Sequence, residues 1–200
     1  MIFKAITPDT YITSDWAGGK TTQIAIDPPE ALYADRTFNF RLSSATVLLD
    51  ESDFTPLPDY NRIIAPVAGQ LQLIFNGDEA VVLDEMALCS FDGAWQTRSK
   101  GRVTDYNLMT RKGICTGEAF AITLSAGGNA ALPAASDPDG KRIVTLVWCV
   151  EGTVVLHAAN EAVYLAPAGT AWIEGLTEDG VIRHLQGPQA RLMLARVRFV

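Results

Sequence analysis

Apolar and polar residues alternate along most of this 200-residue chain. The alternation is clearest in five segments rich in Val, Ile, Leu, Thr and aromatic residues, which are 38–49, 62–75, 103–111, 142–158 and 191–200. A period of two is typical of β-strands, and no stretch longer than two helical turns carries a helical period. Turn-forming clusters such as Asn76-Gly77-Asp78 separate the segments. The pattern predicts an all-β protein, either a sandwich or a barrel.

A weak internal repeat divides the chain into two halves. Arg62-Ile63-Ile64, then Gly69, then Phe91-Asp92-Gly93 return at nearly the same spacing as Arg142-Ile143-Val144, Gly152 and Ile173-Glu174-Gly175. Two copies of one β-unit predict two jelly-roll barrels, an arrangement called a bicupin. A turn-rich segment follows Ser125. We therefore expect an N-terminal barrel with a ligand pocket over residues 1–125 and a C-terminal half over 126–200.

Composition excludes several classes of protein. The net charge is −7, whereas a nucleic-acid-binding surface must be basic. No apolar run reaches the ~20 residues needed to cross a bilayer, and the first residues do not resemble a signal peptide. We therefore expect a cytoplasmic protein with no nucleic-acid or membrane partner; whether it forms a homodimer stays open. The three cysteines include no C-x-x-C pair, so reduced, buried thiols are expected.

Histidine content argues against a metal cofactor. Leu165-Ala166-Pro167-Ala168-Gly169 resembles the turn that precedes a strand in cupins, but metal-dependent cupins carry several histidines on the barrel wall. This chain has only His157 and His184, with no partner at ligand spacing. We expect no metal and no other cofactor.

Two predicted strands carry polar residues that the alternating pattern does not explain. In the first, Arg41 and Ser43 share a face with small apolar residues, where a guanidinium is costly unless it meets an acid or an anionic ligand. In the second, Asp105, Asn107 and Met109 share a face, which suggests a hydrogen-bonding patch inside a barrel. A solvated edge arginine and a structural Arg41–Asp105 pair are the competing interpretations.

Two further residues complete the candidate binding site. Trp16 precedes Gly18 and Gly19, and this turn either opens the first strand or forms a lid over the barrel. Arg62 follows Tyr60-Asn61 and is a second candidate contact for an anion.

Several motifs together resemble the HutD/Ves family over about residues 3–115. The remainder is similar only as a second cupin-like half. The motifs are Trp16-x-Gly18-Gly19-x-Thr21-Thr22, Phe40-Arg41-Leu42-Ser43-Ser44-Ala45, Asp53 through Arg62, Phe91-Asp92-Gly93 and Thr104 through Met109. The resemblance implies a bicupin without metal ligands, and a governor-like or ligand-sensing role in histidine utilisation. Many members have Asn-Gly-Gly-Gly after the tryptophan and an acidic residue after the threonines, whereas this chain has Ala17-Gly18-Gly19 and Gln23.

Three functions are compatible with the sequence. The first is a non-catalytic protein that binds a small carboxylate metabolite, with Arg41 and Arg62 as anion contacts, Ser43 and Asn107 as orienting groups, and Trp16 and Met109 as apolar walls. In it, Asp105 either fixes Arg41 or accepts a ligand N–H. The second is a metal-independent hydrolase or isomerase acting on an amino-acid derivative, with Asp105 as general base. The third is an interaction module with a filled barrel. We expect the first, with no catalytic residue.

Overall fold

The computed structural model describes all 200 residues and confirms an all-β architecture. Seventeen strands are joined by turns, and the helical elements are two short 3₁₀ turns, Pro8–Thr10 and Tyr33–Asp35. No helix has the length and apolar character needed to cross a bilayer. The chain separates into two compact units. One is Tyr11–Gly117, and the other combines Met1–Thr10 with Glu118–Val200.

The unit Tyr11–Gly117 contains a six-stranded and a four-stranded antiparallel sheet. The six-stranded sheet has the spatial order β2 (Ile12–Trp16), β3 (Gly19–Asp27), β4 (Phe40–Val47), β11 (Thr104–Arg111), β6 (Tyr60–Ala68) and β9 (Cys89–Asp92). The four-stranded sheet has the order β5 (Glu51–Asp53), β10 (Thr97–Lys100), β7 (Leu71–Phe75) and β8 (Val81–Leu83).

The two sheets of this unit share one apolar core. Ile64 of β6, Leu73 of β7 and Phe91 of β9 belong to the same buried cluster. A second cluster, which includes Phe38 and Tyr60, closes one end of the six-stranded sheet, and these two rings stack with centroids 4.4 Å apart. The fully buried Tyr60 hydroxyl donates to the Phe38 carbonyl at 2.9 Å. This packing fixes the start of β6, the strand that carries Arg62.

The other unit is built on one seven-stranded antiparallel sheet. Its main order is β1 (Ile2–Ile6), β16 (Thr170–Glu174), β14 (Ile143–Ala158), β17 (Gly180–Phe199) and β12 (Cys115–Ser125); β13 (Asn129–Leu132) pairs with β17, and β15 (Glu161–Leu165) pairs with β14. Its interior is a continuous cluster of aliphatic residues, including Val147, Leu156 and Leu192.

The division of the chain differs from the one predicted at residue 125. The first strand pairs with β16, from Ile2 opposite Glu174 to Ile6 opposite Thr170, so residues 1–10 belong to the C-terminal unit. The boundary lies at Gly117, inside β12, and not in the turn-rich segment after Ser125. An apolar alternation shows that a segment is a strand, but it does not show which strand it will pair with.

The first pair of repeated glycines, Gly69 and Gly152, shares a left-handed backbone conformation. Gly69 ends β6 with φ +86°, and Gly152 interrupts the long strand β14 with φ +79°, a region that side chains with a Cβ rarely adopt. The predicted strand 62–75 is therefore two strands, β6 and β7. The predicted strand 191–200 is the second half of β17, which begins at Gly180.

Candidate functional site

The centre of the site is the inner face of β11. Asp105, Asn107 and Met109 line one cavity from this strand, as their spacing of two predicts. Met109 lies opposite Arg41 of β4 on one side and opposite Arg62 of β6 on the other. Because neighbouring strands are about 4.8 Å apart, the two arginine backbones lie about 10 Å apart across the sheet. The register alone thus brings both cations to one wall.

All seven residues predicted for a binding site border this cavity, whose volume is about 320 Å³. That volume is at the lower end of pockets that hold small molecules. The cavity lies wholly within the unit Tyr11–Gly117. The seven residues are Trp16, Arg41, Ser43, Arg62, Asp105, Asn107 and Met109. Their contact with a ligand remains a prediction.

Arg41 is buried and is held by neutral groups. Its Nε donates to Gln23 Oε1 at 2.8 Å, and its Nη1 donates to Ser43 Oγ at 2.9 Å. The guanidinium also lies 4.3 Å from the centroid of the Tyr33 ring. Burial lowers the pKa of Arg41 to about 10. Arg41 and Asp105 line the same cavity, but the direct pair that was one interpretation of the sequence is not formed, so the positive charge of Arg41 is not neutralised by an ion pair.

Arg62 is the most isolated cation of the site. Its side chain is buried, with 6% exposure, and its Nε has no hydrogen-bond partner. The guanidinium lies 4.6 Å from the centroid of Phe54 and 5.2 Å from that of Phe91. Burial lowers the pKa of Arg62 to about 10, and Asp105 opposes this shift only at a distance. A buried guanidinium held by aromatic faces lacks the acceptors that it had in water.

Asp105 supplies the single buried carboxylate of the cavity wall. Its Oδ1 accepts the backbone N–H of Ala45 at 2.8 Å. Burial raises the pKa of Asp105 to about 6, against the lowering influence of Ala45, Arg62 and Arg41. Neither arginine forms an ion pair with Asp105, although both contribute to its electrostatic environment.

The remaining polar groups around the arginines are hydrogen-bond donors toward the cavity. Ser43 Oγ accepts from Arg41, which leaves its own proton free to donate. Asn107 lines the same cavity; its amide Oδ1 is enclosed without a partner, and its NH₂ group can donate to a bound ligand. Donors that converge beside two cations are suited to binding an anion with several oxygen atoms.

Sequence reasoning missed three residues of the site. Tyr33 stacks between Arg41 and Arg36, whose guanidinium lies 3.6 Å from the ring centroid. Phe54 covers Arg62, and Gln23 binds Arg41. Tyr33 and Phe54 lie in irregular segments, where no period shows the direction of a side chain. Gln23 carried a signal, since the resemblance described above implies an acidic residue at this position.

Other polar features of the chain are less suited to binding an anion. A larger cavity of about 550 Å³ shares Asp53 and Phe54 with the site, but its charged residues, Arg98 and Asp53, are exposed and paired at 3.0 Å. The chain contains no group of three or more His, Cys, Asp or Glu side chains that could hold a metal ion. His184 Nδ1 accepts the Gly127 N–H at 3.0 Å, which is a structural role.

The raised pKa of Asp105 predicts a specific dependence of stability on pH. Between pH 4 and pH 6 the folded chain holds a proton on Asp105 that the unfolded chain has lost. The contribution of this group to the free energy of unfolding therefore falls as pH rises through that window, by about 2–3 kcal/mol at about 1.4 kcal/mol per pKa unit. The Asp105→Asn variant keeps an acceptor for Ala45 but does not titrate.

Urea denaturation of the wild type and Asp105→Asn from pH 4 to pH 7.5 measures this effect. Carboxylates such as Asp92 and Glu174, whose pKa values are lowered by Lys112 and Arg142, contribute equally to both proteins and cancel in the difference. The variant should gain stability relative to the wild type as pH rises. A difference that stays constant with pH would contradict the assignment.

Comparisons with known proteins agree with this architecture. The family model described as HutD matches residues 8–192. A conserved protein of unknown function from Pseudomonas aeruginosa PAO1, PA5104, superposes with a TM-score of 0.80 at 20% identity, covering 98% of this chain and 99% of the other. HutD from Pseudomonas fluorescens SBW25 superposes with a TM-score of 0.74 at 19% identity, covering 100% of both chains.

The fold extends beyond these two proteins. YhhW from Escherichia coli superposes with a TM-score of 0.70 at 8% identity, covering 98% of this chain and 97% of the other. A search of curated proteins gives no match. The structural matches support the predicted bicupin fold, and the family model covers nearly the whole sequence, including every residue of the candidate site. The chain belongs to the HutD family.

Proposed function

We propose that this HutD-family protein binds a small carboxylate in the cavity beneath β11, and that binding, without catalysis, is its function. The observation that carries the proposal is Arg62, a buried guanidinium at the cavity with no counter-ion in contact and no hydrogen-bond partner for Nε. A ligand carboxylate would supply the missing charge and acceptors. Ser43 and Asn107 line the same cavity, and their donors would bind the same group.

The charge of the site supports a monoanion. The buried charges of the wall, two guanidiniums and the Asp105 carboxylate, sum to one positive unit when Asp105 is ionised, and the exposed Asp53 at the cavity is paired with Arg98. Gln23 binds Arg41 without neutralising it. A single carboxylate would therefore balance the cavity, and burying it there would cost less than burying it in an apolar pocket.

A regulatory role linked to histidine catabolism is the biological side of the proposal. Its support is the membership of the HutD family. The similar structure of HutD from Pseudomonas fluorescens is described as a formate condition, and formate is the simplest carboxylate. Urocanate and the N-formyl and N-formimino amino acids are carboxylates of suitable size to test.

Titration calorimetry with matched acids and amides tests carboxylate binding. Propionate and urocanate should bind, whereas propionamide, which has the same shape without the charge, should bind at least 10-fold more weakly. Replacing Arg62 by Met should weaken binding of the acid by about 100-fold or more, because a charge-assisted bidentate contact is lost. Gln23→Glu should also weaken it, since a carboxylate beside Arg41 at 2.8 Å would compete for the guanidinium.

Arg98→Met is the control, because Arg98 is exposed and lies outside this cavity. It should bind the acid like the wild type. Acid and amide that bind equally, or an Arg62→Met variant with unchanged affinity, would show that the anion site is wrongly assigned.

One observation favours an enzyme as the second candidate. Asp105 has a pKa of about 6, which suits a general base acting near neutral pH. A metal-independent hydrolase or isomerase using Asp105 would turn over one of the acids that bind. Turnover should disappear in Asp105→Asn while binding of the acid persists. If neither the wild type nor Asp105→Asn converts the bound acids, the enzyme hypothesis is contradicted and only the binding function is supported.

A further inference from the structure

The cavity separates its positive and negative groups instead of pairing them. Arg41 is restrained by Gln23, Ser43 and the Tyr33 ring, and Arg62 is restrained by two phenylalanine rings. Opposite charges in one buried cavity attract strongly, and long arginine side chains usually close such a gap. The contacts that hold the guanidiniums apart from Asp105 leave room for a ligand between the two ends.

The negative end has one acceptor that no protein donor satisfies. Asp105 Oδ1 is occupied by the Ala45 N–H, whereas Oδ2 has no protein donor in contact and belongs to a side chain that lines the cavity. Ser43, Asn107 and both arginines offer donors to the cavity. Asp105 Oδ2 is therefore the strongest acceptor that a ligand in this cavity can meet. A carboxylate that meets an N–H group gains a charge-assisted hydrogen bond, which is stronger than one between neutral groups.

We propose that the ligand is a monocarboxylate carrying a neutral N–H donor, with its carboxylate at Arg62 and Arg41 and its N–H at Asp105. This inference rests on the proposed carboxylate site and adds the chemical group of the ligand that contacts Asp105. A neutral N–H group, such as that of a secondary amide or an azole ring, leaves the ligand with one negative charge, which balances the wall. A second carboxylate on the ligand would be repelled by Asp105.

Isosteric acids that differ only in the N–H group test the inference. N-acetylglycine and 4-oxopentanoate have the same length, and a CH₂ group of the second replaces the N–H of the first. N-acetyl-β-alanine and 5-oxohexanoate form a longer pair, which covers a larger separation of the two ends. At pH 7.5, where Asp105 is ionised, at least one N–H acid should bind the wild type about 10-fold more tightly than its partner.

The Asp105→Asn variant tests whether Asp105 is the acceptor, because it removes the negative charge and keeps the shape of the side chain. Its amide can still accept the Ala45 N–H, but it then presents NH₂ to the cavity, so the preference for the N–H acids should disappear. The wild-type preference should also shrink below pH 6, as Asp105 gains its proton. Equal affinities within both pairs, or a preference unchanged in Asp105→Asn, would overturn the inference.

The outcomes also separate this inference from the proposed function. If both members of a pair bind equally and both lose affinity in Arg62→Met, the carboxylate site stands and the N–H assignment falls. If no acid binds the wild type, the proposed function and this inference fall together.

Discussion

Arg62→Met is expected to unfold at a higher urea concentration than the wild type, with a free energy of unfolding larger by about 1–3 kcal/mol. Arg62 is 6% exposed, and its Nε has no partner, so the wild type carries the desolvation cost of a buried charge. Met is unbranched and apolar, and its sulfur makes favourable contacts with aromatic rings such as Phe54 and Phe91. The same substitution should abolish carboxylate binding.

Arg62→Met should be more stable because the ligand-free protein buries a charge that only a bound ligand would neutralise. A gain in stability together with a loss of binding is the signature of that arrangement. Part of the gain is offset because Asp105 loses one of its two positive neighbours, although Arg41 remains. Arg98→Met should leave the free energy of unfolding close to that of the wild type, since the Arg98–Asp53 pair is exposed. A clear destabilisation by Arg62→Met would mean that the guanidinium is well compensated in the ligand-free protein.

Gly93→Ala is expected to reduce the free energy of unfolding by about 3 kcal/mol or more. An added Cβ would lie 2.4 Å from the Leu57 carbonyl oxygen and 2.6 Å from the Tyr60 carbonyl oxygen. Both neighbours are backbone atoms of residues that hydrogen-bond Gly93: the Gly93 N–H donates to Tyr60 O at 2.9 Å, and the Leu57 N–H donates to Gly93 O at 2.7 Å. The turn therefore cannot move away without breaking one of these bonds.

Gly113→Ala is the matched control for this substitution. Gly113 has φ +74° and nothing within 4 Å of an added Cβ, so only the cost of the backbone conformation remains, about 1 kcal/mol. Urea denaturation of both variants gives the comparison. Because Tyr60 begins β6, Gly93→Ala should also weaken carboxylate binding at Arg62, two residues further along. Equal losses in both variants would show that the turn at Gly93 can relax.

The alternation along β11 was enough to predict from the sequence that three of the seven candidate residues lie on one face of a strand. A strand has only two faces, so Asp105, Asn107 and Met109 had to lie together, and the same rule joined Arg41 to Ser43. The alternation of apolar and polar residues does not show that the β11 residues and the pair Arg41 and Ser43 lie on the same wall. That arrangement follows from the register in which Arg41 and Arg62 flank Met109. Register depends on the whole sheet, whereas alternation is a local property.

The contacts of each arginine were beyond the reach of sequence reasoning. A pair with Asp105 was one interpretation of Arg41, but Arg41 bonds Gln23 and Ser43. A bulge between Gln23 and Ala25 puts Gln23 opposite Ser43. Bulges insert one residue and change the direction of the side chains that follow. Tyr33 lies in a 3₁₀ turn, where no period applies. Arg62 ranked second by sequence, and its isolation could be recognised only from the packing of Phe54 and Phe91 around it.

The pairing of β1 with β16 has a consequence for the order in which the chain can fold during synthesis. Residues 2–6 are synthesised well before their partners, residues 170–174. The segment 11–117 contains all the strands of the six- and four-stranded sheets, so it can be completed while the first strand still lacks its partner. The half that contains the candidate site is thus available to fold early, and the pairing of β1 in the other half must await the synthesis of residues 170–174.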